Sequence, residues 1–168
     1  QYTERDYCID RRYRYFYFYF DQLESSADFE RLRDLVENIY TGDYLNKQIV
    51  NWNQSFTEAD GKTSLPRQLD FYARYVRNNK ERTVVIISDA LRYEVGRTLF
   101  EKIQADEKCT ATISAMQAVL PSYTRFGMAA LLPHKTIAVC PDLRVTIDGK
   151  PTDDLKQREA ILQAAQPN

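Results

Sequence analysis

Residues 82–96 read RTVVIISDALRYEVG, and how this stretch is read decides the fold. Val84, Val85, Ile86 and Ile87 form an unbroken aliphatic run, the pattern of a strand buried on both faces, as in a parallel sheet covered by helices. Asp89 stands at the end of that run. Leu91, Val95, Leu99, Phe100 and Ile103 then recur at helical spacing, so a helix is expected over 90–104. A strand passing into a helix through an aspartate places a carboxylate at the carboxyl edge of the sheet, where open α/β folds bind their ligands.

Downstream of this unit the same alternation continues. Cys109 to Met116 reads as a second strand, Arg125 to Leu132 as a helix closed by Pro133 and His134, and Thr136–Cys140 and Arg144–Ile147 as short strands. Asp148-Gly149-Lys150 reads as a tight turn, and Asp154 to Ala165 as an amphipathic helix. Strand, helix, strand, helix, strand is the order of a layered α/β domain, which is therefore expected over 81–168.

Upstream, residues 1–80 read as a helical segment. RRYRYFYFYFDQL (11–23) alternates like a strand, yet it also sets Tyr13, Phe16, Tyr17, Phe20 and Leu23 on one helical stripe. Phe29, Leu32, Leu35, Val36, Ile39 and Tyr40 continue the helical spacing, with Asp28 as the expected N-cap and Gly42 as the expected stop. The joint between these two helices falls at Glu24-Ser25-Ser26. Tyr44 to Phe56 and Arg67 to Asn79 add two more helical patterns, and the boundary to the α/β part falls at Asn78-Asn79-Lys80-Glu81.

Composition narrows the function classes. The chain has 168 residues, with 23 Lys and Arg against 24 Asp and Glu for a formal charge of -1. That balance gives no bulk attraction to nucleic acid or to an anionic membrane, so direct nucleic-acid binding is not supported. No apolar stretch approaches the roughly 18 residues of a membrane span. The amino terminus lacks the apolar core of a secretory signal. Cys8, Cys109 and Cys140 are widely spaced with no CxxC pair, which points to free thiols in a reducing compartment and so to a cytoplasmic protein.

Two junctions can carry chemistry. Asp89, or Ser88 beside it, either caps the following helix or holds a ligand at the sheet edge. A phosphoaspartyl hydrolase of the haloacid dehalogenase type needs a second aspartate two residues on, where this chain has Leu91. A receiver domain needs further acidic residues near its first strand, and Glu81 alone is a poor match. The third class uses the aspartate as a metal ligand beside a hydroxyl nucleophile, because a divalent cation holds an alkoxide at neutral pH and offsets phosphate charge. Thr124, in LPSYTRFGMAALLP (120–133), stands immediately before a helix, where it either caps or meets a phosphate held by free backbone N–H groups.

VVIISDALRYEVG and LPSYTRFGMAALLPH together resemble the two signature blocks of the PglZ family, alkaline-phosphatase-superfamily proteins of bacterial phage-defence systems of the phage-growth-limitation and BREX kind, with the type of BREX type 1 the best match. The helical aromatic segment before them is also similar to that family. The resemblance implies part of an alkaline-phosphatase-like layered αβα core, with Asp89 as the first metal ligand, Thr124 as the nucleophile on phosphorus, and Ser122 as the alternative should the loop register differ. Arg92, in the first block, either touches the phosphate or pairs with Asp89. A divalent metal, zinc, manganese or magnesium, is implied for the full-length protein, with none expected on this chain alone, and other phage-defence proteins are the implied partners. The chain departs from the pattern in its later ligands. Its one histidine, His134, lies at the far end of the helix from Thr124, and Asp142, Asp148, Asp153 and Asp154 fall in turns or near a helix start. Family members are several-fold longer, so the chain is expected to be an inactive excerpt. Its function is expected to be that of a metal-dependent phosphatase or phosphodiesterase-like protein; the alternative is a non-catalytic scaffold of the same defence complex.

Overall fold

The computed structural model describes residues 2–23 and 27–165, so the expected joint at Glu24-Ser25-Ser26 lies outside the described residues. The chain forms two compact units, one from residues 1–64 with 90–114 and the other from 65–89 with 115–168.

The first unit is helical. A π-helical turn, Tyr2–Asp6, leads into α1 (Tyr7–Phe20), and α2 (Ala27–Asn38) runs through a π-helical segment, Ile39–Leu45, into α3 (Asn46–Glu58). The aromatic stripe faces these neighbours. Tyr13 stacks on Tyr40 with ring centroids 3.6 Å apart, and the Tyr13 and Tyr17 hydroxyls donate to Glu37 Oε2 at 2.5 and 2.7 Å. Those two hydroxyls hold the Glu37 carboxyl below its ordinary range, while burial and the same bond push the Tyr13 phenol up. Tyrosine thus serves the packing twice, because its ring is half-buried against a neighbour and its polar tip is satisfied.

Gly42, the expected stop, does not end the helix. Backbone angles are helical at both flanks, Asn38 and Asn46, and the chain passes Gly42 in the wider π turn. Ring contacts of Tyr40 with Tyr13 and with Tyr44 hold this segment in place. They outweigh the roughly 1 kcal/mol that a helical glycine costs.

The helix α4 (Tyr93–Gln104) completes the unit by packing on α1. Tyr7 meets Tyr93 edge-on, Arg11 donates to Glu101 at 3.1 Å, and Arg14 Nε donates to Glu94 Oε1 at 2.5 Å. Glu94 is buried, with its side chain only 3 % exposed, whereas that of Arg14 is 36 % exposed.

The second unit contains the one sheet among the described residues. After a 3-10 turn at Gln68–Asp70 and a π-helical turn at Tyr72–Val76, which take the place of the helix expected over 67–79, come α5 (Thr124–Ala130), β1 (Ile137–Val139), β2 (Val145–Ile147), β3 (Lys150–Pro151) and α6 (Leu155–Ala165). The strands lie in the order β1-β2-β3, all antiparallel, with Ile137 opposite Ile147 and Ile147 opposite Lys150. Val145 and Ile147 are 0 % and 1 % exposed and point to one face, as residues two apart on a strand must. There they join Ala129, Leu132 and Ile161 in a core flanked by Tyr123, Phe126 and Ile137.

Asp148 (φ 50°) and Gly149 (φ 77°) make the two-residue turn between β2 and β3. Positive φ at both central positions is the requirement of a type I′ hairpin turn, which Asp-Gly meets at low steric cost. The Asp148 carboxylate accepts from the backbone N–H groups of Thr136 at 2.7 Å and Lys135 at 3.2 Å, so it also ties the hairpin to the start of β1.

Two expected strands are absent among the described residues. Residues 82–88 and 109–116 carry no sheet pairing, and Val84 and Ile86 are 76 % and 86 % exposed. The sheet that forms is a short antiparallel one in place of the parallel layer expected from the aliphatic run. A doubly buried strand needs a hydrogen-bonded neighbour on each edge and a helix on each face, and the described residues supply neither to Val84–Ile87.

Two predictions follow from these contacts. Glu94→Ala removes the acceptor of a partly exposed guanidinium and should cost about 1–3 kcal/mol in urea unfolding followed by circular dichroism. Asp148 is held below its ordinary value of 3.8, chiefly by the Thr136 N–H, so its stabilising effect is complete above that value and is lost as pH falls through the lowered one. An NMR titration of the Asp148 carboxyl should therefore show a midpoint below 3.8.

Candidate functional site

Asp89 lies at the end of the aliphatic run, in a turn whose next residue, Ala90, has φ +56°. A non-glycine residue in the left-handed region costs about 1 kcal/mol and persists only where its surroundings impose it. Asp89 does not cap α4. That helix begins at Tyr93, and its N-cap position is occupied by Arg92 in an extended conformation (φ −82°, ψ 154°). Asp89 is exposed, so its charge carries no burial cost in this chain.

Thr124 is not a cap either. It is the first helical residue of α5, and the N-cap position falls to Tyr123 (φ −101°, ψ 151°). The Thr124 hydroxyl instead donates to Asp89 Oδ2 at 3.3 Å. Two exposed polar groups 35 positions apart in the sequence thus meet on the surface of the second unit. At that distance the bond is weak, and both groups stay accessible.

The loop that delivers Thr124 is tied down by a residue that sequence reasoning missed. Gln68 accepts from the Val119 N–H at 3.1 Å through Oε1 and donates to the Gly127 carbonyl at 3.1 Å through Nε2. Its backbone N–H donates to the Gln117 carbonyl at 2.9 Å, and the Gln117 N–H donates to the Pro66 carbonyl at 2.8 Å. One side chain therefore joins the strand-like approach to the loop with the helix that follows it. A Cβ at position 127 would stand 3.4 Å from Gln68 Nε2, about van der Waals contact, so the clasp passes close over this residue. No local pattern marks Gln68, because its partners lie about fifty and sixty positions away.

The other sequence candidates are placed as follows. Ser122 is exposed two residues before Thr124. Arg92 is exposed and belongs to the first unit, where its carbonyl accepts from Val95 and Gly96 at the start of α4. His134 sits against the Leu132 carbonyl, with Nδ1 at 2.7 Å. Asp142 pairs with Arg144 at 2.6 Å, Asp153 lies 3.4 Å from Arg125, and Asp154 accepts from the Gln157 N–H at 2.8 Å as the cap of α6. The later aspartates thus serve turns, pairs and caps.

The fit to a divalent cation is incomplete. Asp89 offers the hard carboxylate oxygen such an ion prefers, but among the described residues no three of His, Cys, Asp and Glu gather to hold one. The described residues offer an ion one carboxylate beside a hydroxyl.

Comparison with known proteins supplies the context. The family described as the BREX system PglZ alkaline phosphatase-like domain matches residues 71–167, a stretch that contains Asp89, Arg92 and Thr124. "Alkaline phosphatase-like protein PglZ" of Bacillus cereus (strain H3081.97) is 40 % identical over 168 residues, covering 96 % of this chain and 20 % of the relative. "Alkaline phosphatase-like protein BrxZ" of Escherichia coli O9:H4 (strain HS) is 35 % identical over 178 residues, with the same two shares. No solved structure matches. The class is that of the alkaline phosphatase-like domains, and a mixed helical fold with a small antiparallel sheet is compatible with part of such an α/β fold. The chain belongs to the PglZ family of BREX systems. It spans about a fifth of the length of the curated relatives it matches.

Because the Thr124–Asp89 bond is long and exposed, Thr124→Val should change the unfolding free energy by less than about 1 kcal/mol, measured by chemical denaturation.

Proposed function

We propose that the longer protein to which this chain corresponds is a metal-dependent phosphatase or phosphodiesterase-like component of a bacterial phage-defence system of the BREX or phage-growth-limitation kind, with Thr124 as nucleophile and Asp89 as a metal ligand. The observation that carries this reading is the 3.3 Å approach of the Thr124 hydroxyl to the Asp89 carboxylate, within a chain of the PglZ family. The N-cap positions of the two helices are held by Arg92 and Tyr123, and both partners of the contact are exposed, which supports a chemical role for the pairing.

With its proton directed at Asp89 Oδ2, the Thr124 oxygen keeps its lone pairs free for an electrophile. Attack forms a bond from Thr124 Oγ1 to phosphorus as the hydroxyl proton passes to Asp89 Oδ2 and from there to solvent, and it breaks the bond from phosphorus to the ester oxygen, which takes up a proton from solvent as it departs. Water then attacks the phosphothreonine, restoring the hydroxyl and releasing phosphate or a phosphate monoester. Arg92, from the same block as Asp89, is the residue proposed to contact phosphate oxygens. A divalent ion, zinc, manganese or magnesium, is proposed for the longer protein, with its remaining ligands outside this chain. Under the same reading, residues 1–80 are the helical segment that leads into the catalytic domain and 81–168 are that domain's first portion. Other proteins of the defence system are the proposed partners, and the cytoplasm the proposed location.

A second reading rests on a separate observation. Phe18 and Tyr19 on α1 are 62 % and 64 % exposed, and Trp52 on α3 is also exposed. Aromatic residues are enriched in protein interfaces, so this unit suits a scaffold that assembles the defence complex without catalysis.

One experiment separates the two. In the full-length protein supplied with zinc or manganese, Thr124→Ala should lower hydrolysis of a chromogenic phosphodiester by at least about a hundredfold, and Asp89→Ala should do the same. Undiminished hydrolysis by Thr124→Ala would remove the nucleophile assignment. Phage resistance and partner pull-down that survive the double substitution would favour the scaffold.

A further inference from the structure

The second unit contains a cleft of about 380 Å³ that the Asp89 and Thr124 pair does not use. Arg77, His134, Lys135, Asp148 and Lys150 line it, over a floor that includes Ile147 and Ile161. Both isoleucines belong to the core of the unit, so the floor is fixed by packing. α5, seven residues and about 10 Å long, separates Thr124 from the loop that carries His134 and Lys135.

Charge is unevenly distributed in this cleft. The basic side chains of Arg77, Lys135 and Lys150 share the cleft with a single carboxylate, and none of the ion pairs among the described residues involves any of the three, the Arg77 guanidinium lying 5.9 Å from the Tyr72 ring centroid. The carboxylate is already engaged elsewhere. Asp148 Oδ1 accepts from the Thr136 N–H at 2.7 Å and hydroxyl at 3.0 Å, and Oδ2 lies 3.3 Å from the Lys135 N–H. His134 is oriented as well. A carbonyl can only accept, so Nδ1, 2.7 Å from the Leu132 oxygen, bears the proton, and Nε2 is left for another partner.

Ala164 and Ala165, exposed at the end of α6, give the cleft an apolar side next to several cationic donors, which suits a ligand with a compact, weakly polar body and a multiply charged head. Phosphate fits the head better than carboxylate, because it presents more oxygens to an arginine fork and two ammonium groups at once. The volume lies in the range of small-ligand sites. We propose that the cleft of Arg77, His134, Lys135 and Lys150 binds a small phosphorylated molecule of mononucleotide size, with the phosphate on the cations and the body against the exposed Ala164 and Ala165.

The test is a two-dimensional NMR titration of the full chain with pyrophosphate and with AMP at low salt. Both should produce saturable shifts at Ile147, Lys150 and Ala164, with AMP the tighter ligand. Arg77→Glu and Lys150→Glu, both at exposed side chains, should each weaken AMP binding by about tenfold or more, the worth of one charge-assisted hydrogen bond. Thr124→Val should leave the affinity within about twofold, which separates this site from the hydrolase reading. Absence of shifts up to about 10 mM ligand, or affinities unchanged in both charge-reversal variants, would overturn the proposal. Equal affinity for pyrophosphate and AMP would overturn the role given to Ala164 and Ala165.

Discussion

The small core around Val145 and Ile147 is the constraint on which the second unit depends. These two side chains are almost completely buried, and they meet Ala129 of α5, Leu132 just beyond its end and Ile161 of α6. α5 bears fully buried Ala129 and Ala130 at its carboxyl end and exposed Thr124 at its amino end. A helix this short moves as a lever, so the position of the hydroxyl is set by packing two turns away. Gln68 supplies the second point of attachment by holding both the loop before α5 and the carbonyl of Gly127 within it. Two anchors, one apolar and one amide, therefore place a side chain that makes only a weak bond of its own.

The first unit reaches stability by a different route. Its interior is built from tyrosine rings whose hydroxyls end on carboxylates, as Tyr13 and Tyr17 do on Glu37 and Tyr40 does on Asp10. Burial and the Asp10 and Asp6 charges push the Tyr44 phenol up to about 12, so it remains a neutral hydroxyl across the physiological range. Such a core is amphipathic throughout, and this explains why the segment 11–23 could be read either as an alternating strand or as a helix. The helical reading holds because the stripe Tyr13, Phe16, Tyr17, Phe20 finds partners on α2 and the π segment.

Much of the local structure was legible in the chain itself. Apolar residues spaced three and four apart marked α1, α2, α4, α5 and α6, and Asp148-Gly149 marked the hairpin, because these signals act over a few residues. The strand expected at Val84–Ile87 was inferred from its hydrophobicity alone. That property shows that a segment favours burial but not that a partner is present to bury it, and among the described residues these side chains are exposed. Gly42 failed as a stop for a related reason, since distant ring contacts outweighed a local preference.

For the candidate site, residue type and motif named Asp89 and Thr124 and left open whether each was merely a cap. The sequence alone determined which residues could carry a charge or a proton, roughly where most of the helices and the tight turn would fall, and which family's blocks the chain resembles. Only the tertiary structure decided that the carboxylate and the hydroxyl would meet, that neither would cap a helix, and that Gln68 would brace the loop between them. The physical reason is range. Backbone preference and periodicity act within a few residues, whereas a contact between side chains 35 positions apart exists only once packing has closed the chain between them.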